Sequence, residues 1–172
     1  MTEIERARAK EIFFKYCCNS FFLHREDDGE EYDSYNVATE EERLWRQEFI
    51  RHGKSRLTEE DFLRALACLR TTHAGEVLPE VLAAADEAAD GFAKLWFANT
   101  IWELAPAVIV TPALREQAVR KAATMWRELV EKPFELSDYH RQAIAQSLAA
   151  FGVSTEEEYI RKYARNMLRH IR

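Results

Sequence analysis

Six carboxylates crowd the stretch HREDDGEEYDSYN (24–36): Glu26, Asp27, Asp28, Glu30, Glu31 and Asp33. Carboxylates at this density could hold a divalent cation. Asp27, Asp28, Glu30 and Glu31 are the ones a small all-helical Mg²⁺-dependent hydrolase would use, within residues 27–33. An EF-hand is excluded by register. Counted from Asp27, glycine falls at the third position, and counted from His24, the twelfth position is Tyr35 rather than a bidentate Glu. Tyr32 and Tyr35, with Asn36 and Val37, are more than a solvated loop requires, so the same stretch is also a candidate partner-binding surface.

A second pattern lies at the other end of the chain. Arg161, Arg165, Arg169 and Arg172 recur every three or four residues, with Lys162 beside them. On a helix this spacing makes one cationic stripe, and like charges one turn apart cost a little stability unless something negative faces them. Residues 24–48 carry ten Asp/Glu against three Arg. The two ends could therefore dock within one chain, pair two chains, or steer a partner. Phosphate backbone is another anion, but no aromatic platform or helix-turn-helix pattern accompanies the stripe. A third candidate is a polar pocket at Asn99 and Glu103, one turn apart amid Trp96, Phe97, Ile101 and Trp102. The plainer expectation there is that Asn99 ties down a neighbouring backbone and Glu103 meets an Arg near the surface.

Other chemistries lack their residues. None of the five histidines (His24, His52, His73, His140, His170) has a Glu three residues before it, and there is no His-Glu-x-x-His or Cys-x-x-Cys. No metal site or cofactor is implied. Phosphate-binding glycine loops and nucleophile elbows are absent too. Cys17, Cys18 and Cys68 are an odd number in apolar surroundings, which predicts buried free thiols and a reducing, cytoplasmic setting.

The elements that must position these residues read as helices. Thr2 and Glu5 form a capping box that opens a helix over 3–22, and residues 24–38 follow as an acidic loop. Thr39 starts a second helix that Gly53 ends, and Thr58 with Leu57 and Phe62 starts a third. A shorter alanine-rich helix begins near Pro79 and ends about Asp90–Gly91. Residues 92–105, FAKLWFANTIWELA, are apolar nearly all round and predict a central helix stopped by Pro106. AVIV (107–110) reads as a packed, extended connection. Thr111–Pro112 opens a long helix, Ser137 caps another that runs to Gly152, and Ser154 with Glu157 opens the last.

In 172 residues there are only 5 Gly and 4 Pro, too few for a turn-rich β fold. Hydrophobic residues make up 47% and charged ones 31%, an ordinary globular balance. The net charge of −6 argues against whole-surface attraction to nucleic acid or anionic lipid. No apolar run is long enough to span a bilayer, and MTEIERARAK lacks a signal-peptide core. The expectation is an all-α, single-domain array of about seven to eight antiparallel helices over residues 1–172, arranged as a short α-solenoid or an orthogonal bundle. Its expected role is a non-enzymatic protein–protein interaction or adaptor module, with another protein or a second copy as partner. The alternatives are the Mg²⁺-dependent hydrolase and nucleic-acid binding through the Arg stripe.

Overall fold

In the computed structural model, residues 1–19, 23–57, 62–88 and 90–171 are described. Among them all regular structure is helical, apart from one isolated parallel bridge between Asp90 and Glu135. The chain divides into two compact units, Met1–Ala74 and Gly75–Arg172.

In the N-terminal unit, α1 spans Glu3–Lys15 and begins with the expected capping box. The Glu5 amide donates to Thr2 Oγ1 at 3.3 Å and the Thr2 amide donates to Glu5 Oε2 at 2.7 Å. The helix is shorter than the apolar spacing suggests. At its C-terminus Cys17 and Cys18 take left-handed backbone angles, φ 52° and 56°. The Cys17 amide donates to the Phe14 carbonyl, and the Cys18 amide to that of Phe13. These two bonds make a Schellman closure in which Cys17 occupies the place glycine usually takes. A left-handed cysteine costs roughly 1–2 kcal/mol, and Arg46 helps hold the corner by donating to the Cys18 carbonyl at 3.1 Å.

The acidic stretch is not a loop throughout. Residues Asp28–Ser34 form α2, a short helix with Asp28, Glu30 and Glu31 in its first turn, where the helix dipole favours negative charge. Gly29 is buried there, where a Cβ would come within 2.9 Å of the Leu23 carbonyl oxygen. Helix α3 (Thr39–Ser55) buries Trp45, and α4 (Phe62–Thr71) buries Ala65, Leu66 and Leu69. Gly53 does not end α3. It lies inside the helix, and a Cβ there would sit 3.2 Å from Leu69 Cδ2, so it lets α4 approach closely. The capping residues expected for the third helix, Thr58 to Asp61, lie outside the described residues.

In the C-terminal unit a 3₁₀ turn, Gly75–Val77, leads into α5 (Leu78–Ala85). Helix α6 (Gly91–Leu104) is the expected central helix, buried at Phe92, Leu95, Phe97, Ala98, Ile101 and Leu104 among others. Each such large side chain contributes about 1.5–3 kcal/mol on burial. Helix α7 (Pro112–Glu131) packs on α6 through Ala118, Ala122, Met125, Trp126 and Leu129. The Leu114 amide donates to its cap, Thr111 Oγ1, at 3.3 Å. AVIV is a turn rather than an extended connection: the Val110 amide donates to the Ala107 carbonyl at 3.0 Å, and Val108 and Ile109 face solvent.

The helix expected from Ser137 to Gly152 is two, α8 (Asp138–Ala145) and α9 (Leu148–Phe151). Gly152 closes α9 at φ 60°. The last helix, α10 (Glu156–Leu168), is capped one residue later than expected, by Thr155 accepting from the Glu158 amide at 3.2 Å. Ile160 and Ala164 hold α10 in the core, with Tyr163 and Met167 half-buried beside them.

Candidate functional site

Cations of the N-terminal helix take up the acidic stretch. Arg8 grips Glu31 with two bonds, Nε to Oε1 and Nη2 to Oε2, each 2.9 Å. Lys15 Nζ lies 2.6 Å from Asp28 Oδ2, which also accepts from the Tyr16 hydroxyl at 3.0 Å. Arg6 pairs with Glu41, and Lys10 with Glu48. Of the four carboxylates suited to Mg²⁺, Asp28 and Glu31 thus face cations, while Asp27 and Glu30 are exposed. Among the described residues, no three or more His, Cys, Asp or Glu side chains converge as a metal ion would require.

The two tyrosines differ in exposure: Tyr32 points into the core and Tyr35 is half-buried. Tyr32 is buried, stacks on Phe13 with ring centroids 5.8 Å apart, and donates its hydroxyl to Glu42 Oε1 at 2.6 Å. Burial first, and then this carboxylate, raise its phenol pKa. Tyr35 donates to Glu31 Oε1 at 2.8 Å.

Pairing of this kind fixes a sign for the pH dependence. Arg8, then Tyr35, hold Glu31 below its ordinary pKa, and Lys15, then Tyr16, do the same for Asp28. Carboxylates whose pKa is lower in the folded state stabilise it fully above their unfolded value of about 4, and that contribution is lost as pH falls through the lowered values. Thermal melts across pH 7 to 3 should show the midpoint dropping at the acid end. The Asp28→Asn/Glu31→Gln double variant should start lower at neutral pH and fall less steeply. Parallel curves for the two proteins would contradict this account.

Asn99 and Glu103 do not act as a pair. Asn99 is buried on α6 and its Oδ1 accepts from Trp126 Nε1 at 3.2 Å, whereas Glu103 is on the exposed face. Asn99 thus ties down an indole on α7 rather than backbone.

The Arg stripe divides by function. Arg161 turns toward the end of α7, where Nη1 donates to the carbonyls of Leu129 (3.2 Å) and Val130 (2.5 Å) and Nη2 to that of Lys132 (3.2 Å). Its guanidinium also lies over the Phe134 ring, 5.1 Å from the centroid. A cation at a helix C-terminus satisfies orphan carbonyls and opposes the dipole, so Arg161 is a cap. Lys162 reaches back to the Phe151 carbonyl at 2.6 Å. Arg165 and Arg169 are exposed and have no carboxylate partner among the described residues. With Glu158, Arg161, Lys162 and Asn166 they line an open cleft of about 570 Å³ that Gly152 also borders. Arg172 lies outside the described residues.

Sequence reasoning missed two arrangements. Asp90, expected near a helix end, is instead the N-cap of α6. Its Oδ1 accepts from the Phe92 and Ala93 amides and lies 2.9 Å from His140 Nδ1, while Oδ2 accepts from the Ser137 amide at 2.7 Å. One carboxylate therefore fastens the starts of α6 and α8, and the buried His140 belongs to that fastening. The signal was present as Asp-Gly ahead of an apolar helix, a pattern that fits a cap as well as a stop. The second arrangement is a sulfur pair: Cys17 and Cys68 are only half-buried, with Sγ atoms 3.7 Å apart.

Among the described residues no helix is long and apolar enough to cross a membrane. No family model, curated protein or solved structure matches the chain.

Proposed function

We propose that this chain is a non-enzymatic interaction or adaptor module of the cytoplasm, docking an acidic segment of a partner protein along α10. The supporting observation is a contrast in pairing. The cations of α1 meet carboxylates of their own unit, while Arg165 and Arg169, one turn apart beside an open cleft, meet none among the described residues. Paired guanidinium groups suit carboxylates in a bidentate geometry, which favours Asp/Glu-rich sequence as the ligand. The acidic stretch has the opposite character in this reading: it holds the N-terminal unit together and offers no open cation site.

The test is fluorescence anisotropy with a labelled Asp/Glu-rich peptide, comparing the natural chain with the Arg165→Glu/Arg169→Glu variant. Each exposed ion pair contributes about 0.2–1 kcal/mol, and reversal replaces attraction with repulsion. The variant should therefore bind roughly tenfold more weakly at low salt, a factor that shrinks as salt is added. Equal affinity for both proteins would refute the site. Tighter binding of a DNA duplex than of the peptide would replace the partner protein with nucleic acid.

A further inference from the structure

We infer that Cys17 and Cys68 are a peroxide-oxidisable dithiol that closes to an intramolecular disulfide, a modification site independent of the basic cleft on α10. The observation is positional. Among three cysteines, two that are far apart in sequence bring their sulfurs to 3.7 Å, close enough for one S–H to donate to the other sulfur. Both are part-exposed, while Cys18, next in the chain, is buried. Cys68 opens onto a cleft of about 560 Å³ whose lining includes Lys15, His52, Arg56 and Arg64, so a small polar oxidant has a path to the pair.

The hydrogen bond shared with Cys68, and then the Arg64 charge, lower the Cys17 pKa against the effect of burial. Cys68 is raised, by the same hydrogen bond and by burial. Cys18 is pushed up to about 12 by burial. In this proposal Cys17 attacks as the thiolate and Cys68 is the resolving thiol, while Cys18 is a built-in control.

With hydrogen peroxide the steps balance. The Cys17 thiolate attacks one peroxide oxygen, the O–O bond breaks, and hydroxide leaves and is protonated to water. Sulfur is oxidised by two electrons to a sulfenic acid while peroxide is reduced. Cys68 sulfur then attacks Cys17 sulfur, the S–O bond breaks, and the departing hydroxide takes the Cys68 proton as a second water. Two thiols and one peroxide give one disulfide and two waters. The product ties the end of α1 to α4 inside the N-terminal unit.

The experiment treats the reduced, full-length protein with dilute hydrogen peroxide at neutral pH. Thiol counting on denatured aliquots and non-reducing peptide mapping follow the products. Two of the three thiols should disappear together into a Cys17–Cys68 linked peptide, with Cys18 slower by on the order of tenfold or more. The link should persist in Cys18→Ala. In Cys17→Gly, whose new residue suits the left-handed backbone, no link should form and Cys68 should remain a thiol. In Cys68→Ser the reaction should stop at a sulfenic acid on Cys17, trapped by dimedone, which keeps the test open should the glycine variant fail to fold. Loss of all three thiols at one rate, a Cys17 sulfinic acid without the link in the natural chain, or dimedone labelling of Cys68 in Cys17→Gly would each overturn the inference.

Discussion

Trp126→Ala should destabilise the chain by about 5 kcal/mol, enough to unfold most or all of the C-terminal unit. Trp126 is fully buried on α7, packs edge-on against Trp102 with centroids 5.9 Å apart, and donates its indole N–H to Asn99. Truncating a core Trp to Ala costs about 3–5 kcal/mol in transfer and cavity energy. Stranding the buried Asn99 amide adds about 1–3 kcal/mol. Small domains have only about 5–15 kcal/mol in total. Urea melts followed by far-UV circular dichroism measure the loss. A double-mutant cycle isolates the polar part: Trp126→Phe should cost about 1 kcal/mol more in the natural background than beside Asn99→Leu. An equal cost in both backgrounds would mean that the Asn99–Trp126 bond contributes nothing.

Tyr32→Ala should cost about 3–5 kcal/mol, again the range for losing a buried aromatic ring. Tyr32→Phe keeps the stack on Phe13 but removes the donor to Glu42, and a bond to a charged group contributes about 1.5–3 kcal/mol. The pair of variants separates two roles for this residue. A tyrosine displayed for a partner would leave stability unchanged when truncated. A tyrosine that pins α2 onto α1 and α3 would not, and its burial, stacking and hydroxyl bond all favour that second role. Chemical denaturation of the two variants beside the natural protein decides the matter, and a midpoint unmoved in Tyr32→Ala would return the residue to the surface.

Glycine in the sequence marks a left-handed C-terminal residue, and at Gly152 that sign holds. Elsewhere the same backbone is carried by Cys17, Asn36 and His73, at φ 52°, 49° and 51°. The His73 and Ala74 amides close α4 by bonding back to Arg70 and Leu69, the same pattern that Cys17 and Cys18 make. Asn and His enter this region more readily than most residues, and Asn36 and His73 are exposed. At Cys17 and Cys18 the distant Arg46 helps hold the corner, so the apolar spacing of α1 runs past its true end. Gly53 errs the other way, as a glycine that marks close packing of α3 and α4 rather than a terminus.

Helix starts were more legible, because capping is local. Thr2, Thr111 and Ser137 each satisfy the amides their neighbours leave orphaned. The apolar run that became α6 was readable for a similar reason, since burial on all sides needs no partner to be identified. Pairing across the fold was not readable. Arg8 and Glu31 are 23 positions apart, and Arg161 lies 31 positions from the Val130 carbonyl it caps. Periodicity showed an acidic stretch and a basic stripe but could not say which charges meet inside one unit. The structure removes Arg161 from the stripe, draws the acidic stretch against α1, and leaves Arg165 and Arg169 facing outward.

The most direct check of this division is backbone amide shift mapping by NMR on the isotopically labelled full chain. An Asp/Glu-rich peptide should move resonances from Gly152 to Arg169, centred on Lys162, Arg165 and Arg169. A Lys/Arg-rich peptide should leave Asp28, Glu31 and Glu41 essentially unmoved, because their carboxylates already face Lys15, Arg8 and Arg6. Shifts from the basic peptide gathered on α2, with α10 silent toward the acidic one, would contradict the account outright.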